Sequence, residues 1–428
     1  MLKPEWSQFI DLLHKEVVPA LGCTEPIAVA LAAAHAATAL GQQPEHIDVK
    51  VSGNLLKNGM GVGVPGTGTT GMNIAAAVGA IGGKPELGLE VLSQLTPEQA
   101  EAGHRMVADG SVEVSVAKDS PLLYAEVIVT AGGHTARSVL VHDHSNIVLL
   151  EKDGEVAFSR PVDEMPQGGL DEKWPLTMAA IHEFATQASF DSISFILESA
   201  RLNEAIAMEG LAKEYGLKVG RTIDENIRKH LMSDDVSTLA VKLTAAASDA
   251  RMAGVALPAM SNSGSGNQGI TCTMPVVAFA KRLESSEEEL ARALIMSHLT
   301  SIHMKHRLGR LSALCGATVA AAAAGCGIVL LMGGGLEQID RTIRNMVGNV
   351  AGMICDGAKT GCAMKVASAV GAGVQSAMLA MEGIGIDRRE GIVEDDIEQC
   401  IANLARLGCD GMQEADRVVL DIMVSKKP

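Results

Sequence analysis

The apolar positions change rhythm along the chain. Over residues 5–41 they recur at helical spacing, and the stretch 26–40 is Ala-rich with a period of about 3.6. Thr24 stands before it as the expected N-cap, and Pro26 suits the start of a helix. Over 47–160 the pattern breaks into short alternating segments at 47–52, 112–116, 124–130, 138–142 and 147–150, separated by Gly, Asp and Asn. These predict strands, with helices over 74–81 and 97–109 among them. A Pro-rich passage at 160–175 reads as a linker. Beyond it the period is helical almost to the end, with helices expected over 176–187, 192–216, 286–305, 336–354 and 363–382.

This division predicts an α+β chain. An α/β domain with an N-terminal helix is expected over residues 1–170, and an all-helical domain over 171–428. The composition changes the picture in one respect. Aromatics are only 2%, while there are 45 glycines and 21 methionines. Such cores rely on close helix approach and on Met as an adaptable filler.

The net charge of −16 argues against nucleic acid or an anionic membrane as partner. The start, Met1-Leu2-Lys3-Pro4-Glu5-Trp6, lacks an apolar signal core, so a cytoplasmic protein is expected. The most apolar of the long charge-free runs, 311–336, could span a bilayer by length. Its Ala and Gly content and the closing Gly333-Gly334-Gly335 favour a buried helix pair. The eight cysteines then sit in a reducing compartment, where metal binding or catalysis is a more natural use than disulfides. Ala- and Met-rich helical surfaces make a homo-oligomer the expected assembly.

Several groups of residues bear chemistry. Cys315 and Cys355 are forty residues apart, and Cys362 follows seven later across a Gly-containing loop between two helices. Lys359 and helix N-termini nearby would favour thiolates there. Three thiolates suit an iron–sulfur cluster with one iron open, or zinc; buried structural thiols fit the spacing as well. Cys23, in Gly22-Cys23-Thr24-Glu25-Pro26, adjoins a helix start, which lowers a thiol pKa; it could serve as base, nucleophile or ligand, or be a buried thiol at the helix entry. The run Ser261, Asn262, Ser263, Gly264, Ser265, Gly266, Asn267, Gln268, Gly269 could form a backbone nest for a carboxylate. Lys57, amid Asn and Gly just after a strand, could bind a carboxylate or be a solvated turn lysine.

Other features read as structural. Asp249 and Arg251 interrupt an apolar helix, which suggests an ion pair or a site, and pairing is expected. Two GxGxxG matches, at Gly61 and Gly264, lack the strand–helix context of a dinucleotide site. His142 with His144 would share a strand face, and His303 with His306 a helix face, without evident carboxylate partners. Cys272, Cys326, Cys400 and Cys409 read as packing residues.

The order of GCTEP, SGNLLKNG, SNSGSGNQG and then the three cysteines resembles the L-cysteine desulfidases, relatives of the iron–sulfur L-serine dehydratases. The resemblance covers nearly the whole chain, and the two cysteine spacings fit the desulfidase branch. It implies a substrate-binding-like domain joined to a helical catalytic domain. It implies a [4Fe–4S] cluster on Cys315, Cys355 and Cys362, no pyridoxal phosphate, and Cys23 as general base or neighbour of the open iron. The expected substrate is a small amino acid, L-cysteine first and L-serine as the alternative. A non-catalytic amino-acid- or metal-binding regulator is the reading from another class.

Overall fold

A computed structural model describes residues 3–162, 174–309 and 312–426. Most of the passage read as a linker, 163–173, lies outside them. The single helix expected over 5–41 is two, α1 (Pro4–Glu16) and α2 (Thr24–Leu40), parted by the short strand β1 (Pro19–Leu21). Pro19 opens that strand, a place where the missing N–H costs least. Cys23, not Thr24, is the residue before α2. The Thr24 hydroxyl is used instead to reach across the molecule, donating to the Gly264 carbonyl at 2.8 Å.

The next elements build a six-stranded mixed sheet. After β2 (His46–Val51) come α3 (Gly53–Gly59), α4 (Met72–Gly82) and α5 (Pro97–Ala108), then β3 (Val112–Val116), β4 (Tyr124–Ala131), β5 (His134–Val141), β6 (Ile147–Lys152) and β7 (Glu155–Ser159). The sheet order is β3-β2-β4-β5-β6-β7. Only β2 and β3 run parallel, because the helical crossover α3–α5 joins them; the other pairs are antiparallel. Ile47, Val49 and Val51 alternate inward from β2 and join Ala28, Val29 and Ala32 of α2 in one core. A Cβ on Gly79 of α4 would come 2.4 Å from the Ala30 carbonyl of α2. The small residues therefore let the two helix backbones touch.

The rest is largely helical: α6 (Met178–Gln187), α7 (Phe190–Ile193), α8 (Leu197–Ala212), α9 (Val219–Arg228), α10 (Val236–Met252), strand β8 (Pro258–Met260), α11 (Gly266–Arg282), α12 (Glu287–Leu308), α13 (Gly316–Leu331), α14 (Leu336–Val350), α15 (Cys362–Met381), α16 (Ile397–Arg406) and α17 (Gln413–Ser425). The helix expected over 192–216 is broken by a tight turn at Ser194–Ile196 and ends at Ala212. The run 311–336 does not form a helix pair. It holds one buried helix, α13, then turns through Gly333 at φ +80° before α14 begins. Among the described residues one helix, α15, is long and apolar enough to cross a membrane by length and composition; it packs against α10, α13 and α14.

Among the contacts that join the sheet-bearing part of the chain to the helical part, two lie at the chain's start. Strand β1 pairs antiparallel with β8, Ala20 opposite Ala259, which docks the segment before Cys23 against the segment before Ser261. Helix α1 also enters the helical core, where Trp6 and Phe9 pack edge-on against Phe184 of α6 at 5.6 and 5.4 Å.

Candidate active site

Four helix beginnings face one cavity of about 110 Å³. Cys23 precedes α2, Ser265 caps α11, Cys315 precedes α13, and Cys362 is the first residue of α15; all four line it. Unsatisfied N–H groups and aligned peptide dipoles make each start a favourable place for negative charge. Cys355 and Lys57 line the same cavity, so the three spaced cysteines, Cys23 and Lys57 do converge. A second cavity of about 580 Å³ lies alongside, sharing Ser312.

The thiols are placed by backbone pairing. Leu314 and Ile354 form an antiparallel bridge, and the Cys315 and Cys355 thiols hydrogen-bond each other. The loop 355–362 then lies on α3: Ala358 N–H donates to the Asn58 carbonyl at 3.2 Å, and Gly61 bridges Lys359. Gly357 makes this approach feasible. Its φ is +92°, and a Cβ there would meet the Lys57 carbonyl at 2.1 Å. Cys362 packs beside Cys23, Val62 and Met252.

The electrostatics separate the cysteines. The hydrogen bond from Cys315 brings the Cys355 thiol down to about 6 against its burial, aided by Lys57 and Lys365. Cys315, the donor, is pushed well up by the same bond and by burial. Burial also lifts Cys362. Lys359, expected to favour thiolates, instead pairs with Asp356 at 3.2 Å. Cys23 departs from the sequence expectation of a lowered pKa. It is buried and donates to Glu25 Oε2 at 2.8 Å, and burial and that carboxylate raise it well above its ordinary value. Burial alone would lift the Glu25 carboxyl, but His144, the Cys23 thiol and Arg251 hold it below its ordinary value. Glu25 also accepts from Thr24 Oγ1 at 3.2 Å and from Asn58 Nδ2 at 3.2 Å.

The glycine–serine segment divides. Ser261 donates to the Val18 carbonyl at 2.6 Å, and Asn262 is fully buried, donating to His298 and accepting from Ser263, Gln268 and Ser301. These side chains and the Gly264 carbonyl hold the segment in shape. Ser265, Asn267 and Gln268 are the ones that line the cavity. Lys57 is buried and ion-paired with Asp416 of α17. Asp249 and Arg251 do not pair as expected. Asp249 accepts from Gly220 N–H at 3.1 Å at the start of α9, while Arg251 lines the cavity. His142 and His144 lie in the turn after β5, not on a strand face. His303 bonds Glu398 and Trp174, and His306 stacks on Trp174.

Sequence reasoning gave no site role of their own to Glu25, Asn58 or Lys305, and named Gln268 only within the 261–269 run and Arg251 only as part of an ion pair or a site. Only Glu25 carried a usable signal, standing two residues after Cys23 at a helix start.

Among the described residues no three His, Cys, Asp or Glu side chains converge tightly enough for a single metal ion. A lone zinc, with Zn–S of about 2.3 Å, would require that. A polynuclear cluster distributes its ligands over separate metal atoms, and three thiols lining one cavity, two of them at helix N-termini, fit that donor pattern.

A sequence profile described as serine dehydratase alpha chain matches residues 86–421. The chain belongs to that family, which is associated with iron–sulfur enzymes. Cys23, Glu25 and Lys57 lie before the matched segment, but full-length relatives span them. A UPF0597 protein of Oleidesulfovibrio alaskensis is 87% identical over 428 residues, covering 100% of both chains. One from Aeromonas hydrophila is 51% identical over 431 residues, covering 100% of this chain and 98% of the relative. One from Bacteroides fragilis is 47% identical over 427 residues, covering 100% of both.

Proposed function

We propose that this protein is an iron–sulfur lyase that eliminates the β-substituent of a small amino acid, with L-cysteine as substrate and pyruvate, ammonia and sulfide as products. The observation that carries this reading is the meeting of Cys315, Cys355 and Cys362 with the Cys23–Glu25 pair in one cavity. Cys315, Cys355 and Cys362 would hold a [4Fe–4S] cluster. When bound, its open iron supplies a Lewis acid that makes the β-substituent a better leaving group, so pyridoxal phosphate is not required.

The chain's own residues move the proton. Cys23 Sγ takes the α-proton of the substrate as its own proton passes to Glu25 Oε2. The raised thiol and the lowered carboxyl both keep the proton on Cys23 in the resting site, so its passage to Glu25 is coupled to removal of the α-proton. The Cα–H pair becomes the new C=C bond, and the Cβ–S bond breaks with its pair leaving as hydrosulfide. The resulting enamine tautomerises to an imine, and water hydrolyses it to pyruvate and ammonia. The segment 261–269 borders the substrate through Asn267 and the first turn of α11.

L-Serine is the second reading, favoured by the family description. Anaerobic purification, iron and sulfide analysis, and pyruvate assays with both amino acids test the two together. Pyruvate and sulfide from cysteine with about four irons per chain support the desulfidase. Serine turnover without cysteine turnover moves the reading to the dehydratase. A protein that takes up no iron on anaerobic reconstitution and yields no pyruvate overturns both.

A further inference from the structure

We infer that Arg251, set against the first turn of α11, forms a niche for the free α-carboxylate of the substrate. The protein would therefore act on amino acids and reject their amides and the corresponding amines. This rests on the lyase reading for the identity of the ligand.

Arg251 sits at the end of α10 with its side chain 3% exposed, and Nε is buried with no hydrogen-bond partner among the described residues. The other charges around it have partners. Lys57 is paired with Asp416, Lys365 and Lys359 with Asp356, and Asp249 is engaged by the start of α9. Glu25 acts on Arg251 through space, but its oxygens are engaged by Cys23, Thr24 and Asn58. Meanwhile the guanidinium lies directly on the beginning of α11: a Cβ on Gly266 would fall 2.2 Å from Nε. A buried cation pressed against the positive end of a 17-residue helix is an unfavourable arrangement on its own. An anion seated beside both, where Arg251, Ser265 and Asn267 line the cavity, satisfies the two, and the cavity admits one small carboxylate. Ser265 already accepts from the Gln268 amide, so the Gly266 and Asn267 amides remain as the helix's contribution.

Calorimetry on metal-free protein, with L-serine and L-serinamide as probes, tests this without turnover. Wild-type protein should bind the acid about tenfold or more tightly than the amide, as loss of one charged hydrogen bond implies. Arg251→Met keeps the side-chain volume and removes the charge. It should weaken the acid about ten- to a hundredfold and leave the amide unchanged. Gly266→Ala keeps the charge but displaces the flexible guanidinium, and should weaken the acid in the same direction. Equal binding of acid and amide, no binding of the acid, or an unchanged acid affinity in Arg251→Met overturns the niche. If the selectivity holds but the protein takes up no iron on anaerobic reconstitution and yields no pyruvate, the lyase reading fails and the niche stands.

Discussion

Cys315 and Cys355 are held side by side by their own backbones: Cys315 N–H donates to the Met353 carbonyl at 2.9 Å, and Cys355 N–H donates to the Ala313 carbonyl at 2.7 Å. Two segments distant in sequence thus bring the two thiols together through backbone pairing.

That pair sets the first prediction. Serine in place of Cys315, Cys355 or Cys362 should abolish the visible iron–sulfur absorption and the bound iron of anaerobically prepared protein. Cys272→Ala should keep both, because Cys272 is buried against Ala320 and Ala323, away from the cavity, and its loss costs about 1 kcal/mol of packing. Iron retained at wild-type level in all three serine variants would rule out this ligand set.

The loop carrying Cys355 and Cys362 depends on a residue without a side chain. Gly357→Ala should cost about 1–3 kcal/mol from the positive φ alone, and more from the clash with the Lys57 carbonyl. The expected result is a folded protein with a lower melting temperature and reduced iron occupancy. Gly361→Ala is the control. Gly361 has helical φ of −61°, and its added Cβ meets only a Lys359 side-chain carbon at 3.9 Å.

Acid stability should depend on Glu398. This carboxylate accepts from His303 Nε2 and Arg307 Nη2, both at 2.8 Å, and from Met178 N–H at 2.8 Å, tying α16 to α12 and to the start of α6. Burial alone would raise it, but these partners hold it below its ordinary 4.5. A depressed carboxyl stabilises the fold above its unfolded value, and that stability is lost as pH falls through the folded value. Glu398→Gln should therefore destabilise by about 2–3 kcal/mol at pH 7, with the gap to wild type closing as melts are repeated toward pH 4. A gap that is constant with pH would show that the charge is not what matters.

The sequence made the broad division legible because helix and strand periods differ so clearly here. It missed what is short or held from afar. Strands β1 and β8 have three residues each and exist through each other. Strand β7 is short and exposed at all five positions, so no buried face marks it; it is held as the sheet's edge by β6. Helix α3 begins with Gly53-Asn54 and reads as a turn, but Ser52 caps it and the 355–362 loop lies on it. The site was legible as motifs and not as a constellation. Cys23, Lys57 and the three cysteines could be named from local text. The meeting of four helix starts, and the roles of Glu25 and Arg251, depend on packing that no local pattern encodes.

The Cys23–Glu25 contact yields the last prediction. If the thiol receives the substrate proton while passing its own to Glu25, the two act as one unit. Glu25→Gln keeps the size of the side chain and one accepting oxygen but removes the acceptor's charge. It should lower kcat by roughly 10²–10⁴-fold, the usual worth of a positioned base, with KM little changed and iron content intact. Cys23→Ala should fall comparably, and the double variant should be no slower than the slower single one, because removing either member already disables the pair. Exchange of the substrate α-hydrogen with deuterated solvent should disappear in each variant. Multiplicative losses in the double variant would mean that the two residues act separately, and near-wild-type turnover in Glu25→Gln would remove the carboxylate from the proton path.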